Sequence, residues 1–230
     1  MATIKIGSSE YWDVRDQIPT GVWPQRSLSA VKSLIVHHSD TGPMTDTSRK
    51  AKLAALQAIH RDHTSETPRH GAWPGIAYHA AVFADGEVVI IGGAETVRYH
   101  SGGPDVAPRN GIGDANDKGY GVVLMGSYTT ETPPDAMLRA LERLIGNVGQ
   151  GLGADLAVEP HRAYANTACP GAWFEAWLHP EVTPPAVLVD WQTEAVEQLN
   201  ARWREGEELI SRGQALQADV VAAKARWGIT

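Results

Sequence analysis

His161-Arg-Ala-Tyr-Ala-Asn-Thr-Ala-Cys169-Pro170-Gly171 holds the only cysteine among 230 residues. A histidine stands eight residues before that thiol, and far upstream Leu34-Ile-Val-His37-His38-Ser39 ends an apolar run on another. Two imidazoles and one thiolate make a three-ligand zinc set. Catalytic zinc sites use three protein ligands and keep a fourth position for water. A zinc finger needs paired short spacings such as Cys-x-x-Cys, and the sequence has none. Ligands from segments this far apart require a fold that assembles a pocket. Each residue alone has a plainer reading: a lone buried cysteine is usually a small core hydrophobe.

Composition narrows the function classes. The formal charge is -7, and 43% of residues are hydrophobic. Polyanion binding draws on clustered Lys and Arg. No such cluster occurs, so nucleic acid is not an expected partner. No stretch approaches the ~20 apolar residues that span a bilayer, so no membrane insertion is expected. A single cysteine cannot form an internal disulfide. Met1–Glu10 lacks the apolar region of a signal peptide, which points to cytoplasmic residence.

Working outward, Val31–Val36 reads as a buried strand, after a turn-rich lead-in over residues 1–30. Asp46 or Thr47 is expected to cap a helix that runs to about His63, with Leu53, Leu56 and Ile59 on one face. Ile76–Ala84 and Glu87–Ile91 flank Asp85-Gly86, a hairpin signal. Residues 92–119 read as a long loop, Gly121–Met125 as a strand, Pro134 to about Val148 as a helix, and Pro170–Leu178 as the start of a short aromatic helix. The fold class is α/β in the mixed α+β sense: a central mixed β-sheet flanked by helices. Period-two alternation turns His38 away from His37, and His79 away from Tyr78. His60-Arg-Asp-His63 reads as a polar helix end. Trp73 and Trp173 suit sugar or peptide stacking and core packing equally. The glycines of 102–113 lack the strand-to-helix setting of a phosphate loop.

Four segments in order carry a resemblance. Ile35-Val36-His37-His38-Ser39, Tyr78-His79 followed by Asp85-Gly86, Gly119-Tyr-Gly-Val-Val-Leu-Met-Gly126, and Pro160-His161-Arg162 through Thr167-Ala-Cys169-Pro-Gly171 resemble the type 2 N-acetylmuramoyl-L-alanine amidases. That group includes phage lysozyme-amidases and peptidoglycan recognition proteins. The likeness covers about residues 30–178. It implies Zn2+ bound by His37, His161 and Cys169, and Tyr78 orienting or deprotonating the attacking water. It implies Thr167 near the developing oxyanion and His100 lining the substrate groove. Trp73 joins His100 as a candidate substrate contact. The implied substrate is peptidoglycan, cut between the lactyl group of N-acetylmuramic acid and L-alanine. Ala163 stands where many relatives carry an acid, so a carboxylate behind the ligands is not expected from that position.

Thr183-Pro184-Pro185 ends the globular pattern and divides the chain into a zinc amidase domain over 1–182 and a C-terminal extension over 183–230. The extension has no proline after 190. It places Val196, Leu199, Trp203, Ile210, Val220 and Trp227 on one seam broken by Gly206, Gly213, Gln217 and Lys224. This predicts a long helix that serves as a coiled coil, a wall-binding appendage or a homo-oligomer contact. A signal-less amidase of this kind looks like a phage endolysin that reaches the wall once a holin opens the membrane. Recycling enzymes of related type often carry an aspartate in place of Cys169. Two other classes stay open: a non-catalytic peptidoglycan-binding module, and a cysteine-nucleophile hydrolase using Cys169 and His161. In the latter, the following helix would lower the thiol pKa.

Overall fold

The structure is a computed structural model, and it describes residues 2–66, 72–101 and 115–180. Residues Met1–Leu178 form one compact unit. The long helix expected over 183–230 lies outside the described residues.

Among the described residues seven strands form one mixed sheet, in the order β1-β2-β5-β4-β6-β3-β7. The centre is β3 (Ser33–His38) beside β6 (Gly119–Leu124), parallel over six residue pairs from Ser33↔Gly119 to His38↔Leu124. Strands β6 and β4 (Ala80–Val82) are also parallel, and β7 (Ala157–Pro160) runs parallel to β3 on its other side. Parallel strands covered on both faces read as continuous apolar runs, which is how Leu34-Ile-Val36 reads. Alternation then sorts side chains. Leu34, Val36, Val122 and Leu124 face α3 (Asp135–Leu152) through Met137, Leu141, Leu144 and Val148. Ala81, Val89 and Val123 face the other way, onto Leu56 of α1 (Arg49–Thr64) and onto Phe83.

Helix α1 begins one or two residues later than expected. Ser48 is the N-cap and accepts from Ala51 N at 3.3 Å, while Asp46 accepts from Ser48 N at 2.8 Å. Helix α3 runs to Leu152 and stops at Gly153, whose φ of 61 is the left-handed C-cap conformation. The Asp85-Gly86 hairpin forms between β4 and β5 (Val88–Ile90), with Gly86 at φ 85. The aromatic helix is α4 (Trp173–Leu178), and Trp173 is core, donating from Nε1 to Pro170 O at 3.0 Å.

The lead-in over 1–30 departs from expectation. Its first half is a hairpin, β1 (Thr3–Ile6) with β2 (Ser9–Asp13), and β2 joins the sheet parallel to β5. Asn147 of α3 ties it down, accepting from Ser8 N at 2.9 Å and donating to Tyr11 OH at 2.8 Å. Within the expected loop over 92–119, Ala115–Lys118 is a single helical turn, α2. Residues 102–114 of that loop fall outside the description.

Lys52 on α1 is 1% exposed and its Nζ lies 2.5 Å from Asp85 and 2.8 Å from Glu87. Arg49 adds a 2.6 Å contact to Glu87. This ion group fixes α1 to the hairpin turn. Removing one partner of a buried pair strands the other charges. Both carboxylates are partly exposed, which reduces the penalty. Lys52→Ala is expected to cost about 2 kcal/mol, read as a lower urea midpoint at unchanged m-value. An unchanged midpoint would show that the group contributes nothing net.

Candidate active site

His37 occupies the penultimate position of β3, and Val36 pairs with Pro160 at the end of β7. The parallel register therefore brings His37 and His161 side by side, with ring centroids 4.3 Å apart. Cys169 returns to the same place on the loop after β7. Its Sγ accepts from His38 N at 3.2 Å. One ligand atom from each of His37, His161 and Cys169 lies within 4.8 Å of the others, the one such group found among the described residues.

Arg162 shapes this loop, a role that sequence reasoning missed. Its N donates to Cys169 O at 2.9 Å and its Nη1 to Gly171 O at 2.7 Å. Its other arm meets Glu175 at 2.6 Å. The backbone N–H of Arg162 thus ties the start of the His161–Gly171 excursion to Cys169, and its guanidinium ties Gly171 to Glu175 of α4. A charged residue directly after a ligand is the available sequence signal, too weak to act on alone.

The electrostatics suit a cation. Burial, reinforced by the neighbouring imidazoles, holds His37 well below the ordinary histidine range. Burial takes His161 down to about 4. Both rings are neutral at pH 7, the form that binds a metal. Burial pushes the Cys169 thiol up to about 12, the reverse of the lowering expected from a following helix. Helix α4 starts only at Trp173 and is six residues long. Soft sulfur with two neutral imidazoles fits a borderline-soft divalent cation such as zinc, whose charge would draw off the thiol proton.

Tyr78 lies beside the trio, its ring centroid 5.2 Å from that of His37. Burial, then the charges of Cys169 and Asp62, raise its phenol above the ordinary range. It therefore keeps its proton at neutral pH and donates hydrogen bonds. His79 turns away, as alternation requires. It stacks on Tyr120 at 4.6 Å and accepts from Gly121 N at 2.9 Å. His38 likewise faces the other side, accepting from Tyr128 N at 2.9 Å. Thr167 is exposed and accepts from Cys169 N at 3.2 Å, which leaves its hydroxyl hydrogen as a donor.

A cavity of about 400 Å³ opens next to Tyr78. Met44, Ile59 and Met125 give it an apolar wall, and Ser39, Thr41 and Asp62 add polar atoms.

Of the two substrate contacts expected from the sequence, His100 is buried and Trp73 half-buried. His100 is 4% exposed and packs edge-on against His37, with centroids 5.1 Å apart. Its ring lies over the bare backbone of β6 at Gly119 and Gly121. Trp73 packs edge-on against His63 at 5.1 Å and Tyr99 at 6.2 Å. His63 ends α1 and accepts from Ala77 N at 3.0 Å, so the His60–His63 pair is a helix end, as its polarity suggested.

Residues 27–172 match the family model described as Amidase_2, N-acetylmuramoyl-L-alanine amidase. The chain belongs to this family. A pig N-acetylmuramoyl-L-alanine amidase is 31% identical over 144 residues, 60% of this chain and 21% of that protein. The chain thus spans about a fifth of that relative's length. Drosophila melanogaster peptidoglycan-recognition protein LB is 28% identical, over 78% of this chain and 71% of its own. The solved peptidoglycan recognition protein-LE, in complex with tracheal cytotoxin, a monomeric diaminopimelic acid-type peptidoglycan, superposes with a TM-score of 0.57 at 20% identity. That match covers 76% of this chain and 94% of the other. The sheet and its flanking helices are therefore the amidase and recognition-protein fold.

The buried imidazoles also set an acid limit on the metal-free protein. The folded-state values, about 4 for His161 and about 3 for His100, lie below the unfolded value of 6.5. Between them the unfolded chain binds more protons. Full stability is therefore present above pH 6.5 and is lost as pH falls toward 4. Urea midpoints of chelator-treated protein should drop steadily over that window. A flat profile would contradict the burial of these rings.

Proposed function

We propose that the protein is a zinc-dependent N-acetylmuramoyl-L-alanine amidase, which hydrolyses the amide between the lactyl group of N-acetylmuramic acid and L-alanine. The convergence of His37, His161 and Cys169 within 4.8 Å, with Tyr78 beside them, carries this reading. A zinc ion held by that trio supplies Lewis-acid polarisation of a carbonyl and a nucleophilic water near neutral pH. The chain's own part is positioning and charge stabilisation. The protonated Tyr78 phenol donates to oxygen at the reacting centre. Thr167 adds a second donor, its oxygen already engaged by Cys169 N. Donors aimed at a developing oxyanion are worth about 3 kcal/mol each when the site is preorganised. The cavity beside Tyr78 would take the apolar and polar groups of the substrate flanking the scissile bond. We read the biological setting as lysis of a bacterial wall, as an endolysin.

A cysteine nucleophile is disfavoured by the thiol, which burial raises and so keeps protonated at neutral pH. The chelator response separates the two chemistries. Purified peptidoglycan incubated with the protein should release L-alanine amino termini without new reducing sugar ends. The activity should vanish with chelator and return with Zn2+. Survival in chelator with loss on alkylation would favour the cysteine mechanism, and binding without cleavage would make the protein a recognition module. His161→Ala and Cys169→Ser should abolish both metal content and turnover. Tyr78→Phe should lower kcat by roughly 10²–10³ with metal content kept, and Thr167→Ala should lower it less. A Tyr78→Phe enzyme at native kcat would remove the phenol from the mechanism.

A further inference from the structure

His37 Nε2 lies 3.1 Å from His100 Nδ1. His100 Nε2 lies 3.3 Å from Gly119 O. A carbonyl only accepts, so Nε2 of His100 carries the hydrogen of that contact. In a neutral ring its Nδ1 is then an acceptor, with Ser101 Oγ 3.3 Å away and His37 Nε2 closer at 3.1 Å, and the hydrogen between the two rings belongs to His37 Nε2. That leaves His37 Nδ1 with its lone pair.

Surroundings hold His100 in this pose. Its ring rests on β6 where the strand has no side chain. A Cβ on Gly121 would fall 2.5 Å from His100 Cγ, and one on Gly119 would fall 3.1 Å from its Cε1. On the chain, His100 N donates to Arg98 O at 2.9 Å, and Ser101 N donates to Asn116 Oδ1 at 2.9 Å. His100 offers no atom to the group of converging donors formed by His37, His161 and Cys169. Among the described residues its hydrogen bond to that group is made with His37.

We propose that His100 is a positioning residue that fixes the tautomer and ring orientation of His37, so that His37 meets the metal through Nδ1. The proposal rests on the metal-binding reading above. It differs from the usual carboxylate or carbonyl behind a ligand histidine, since a second imidazole relays the contact to the backbone of the central strand. The glycines of β6 are the space that makes this relay fit.

The test measures metal binding, not turnover. Elemental analysis of the wild type comes first. A metal-free wild type would sink the underlying reading by itself. With one equivalent bound, Zn2+ affinity is compared by competition with a chromophoric chelator in wild type, His100→Leu and His100→Asn. Leucine fills the site without an acceptor, and asparagine restores one near the Nδ1 position. His100→Leu should bind Zn2+ about 10–100-fold more weakly, and His100→Asn should recover most of that loss. Metal-free unfolding midpoints check that both variants fold. Native affinity in a folded His100→Leu protein would overturn the proposal. So would equal weakening in both variants, since that assigns the loss to packing. Imidazole ¹⁵N NMR of the wild type needs no substitution. It should show His37 Nε2 protonated and Nδ1 metal-bound, and coordination through Nε2 would refute the assignment.

Discussion

Parallel pairing of β3 with β7 is the constraint on which the site depends. Val36 stands opposite Pro160, so each strand delivers its histidine one residue further on, at the same level of the sheet. A one-residue slip would move the side chains of β3 to the opposite face. Burial of β3 on both faces resists that slip, because Leu34 and Val36 belong to the α3 core while Ile35 and His37 lie on the other side. Hydrophobic register, not metal binding, thus sets the spacing of the two histidines. Cys169 arrives by a different device, a loop held by the backbone N–H and the guanidinium of Arg162 and, at its sulfur, by a backbone N–H of β3.

Charge follows from that placement. Three ionisable groups packed together out of water all favour their neutral forms. Neutral rings are ready to ligate, whereas the thiol yields its proton only to a strong local positive charge. Among the described residues the converging trio includes no carboxylate, a donor set that would suit a borderline-soft cation better than a hard one. Tyr78 shares the same dry surroundings and remains a donor.

Much of this was legible in the residues. The buried run before His37, the Asp85-Gly86 turn and the apolar face of α3 each follow from periodicity or turn chemistry. The β1–β2 hairpin was obscured because its strands are four and five residues long and pass directly into a proline-bearing stretch. Strand β7 was hidden for a similar reason, since Ala157–Pro160 has neither length nor alternation. The converging residues His37, His161 and Cys169 stood out by type and order, but the seat of His100 did not. Its partner is Gly121, and a glycine in a strand shows only that something comes close, not what.

The ion group around Lys52 has a reach beyond stability. Helix α1 supplies Ala55, Ala58 and Ile59 to the cavity beside Tyr78, and its position is set nearer its N-terminus, through Lys52, by Asp85 and Glu87 at the hairpin tip. The tip thus acts as an adjusting screw for the cleft wall. Sequence drift at that tip would retune which molecules fit without altering any residue that meets them.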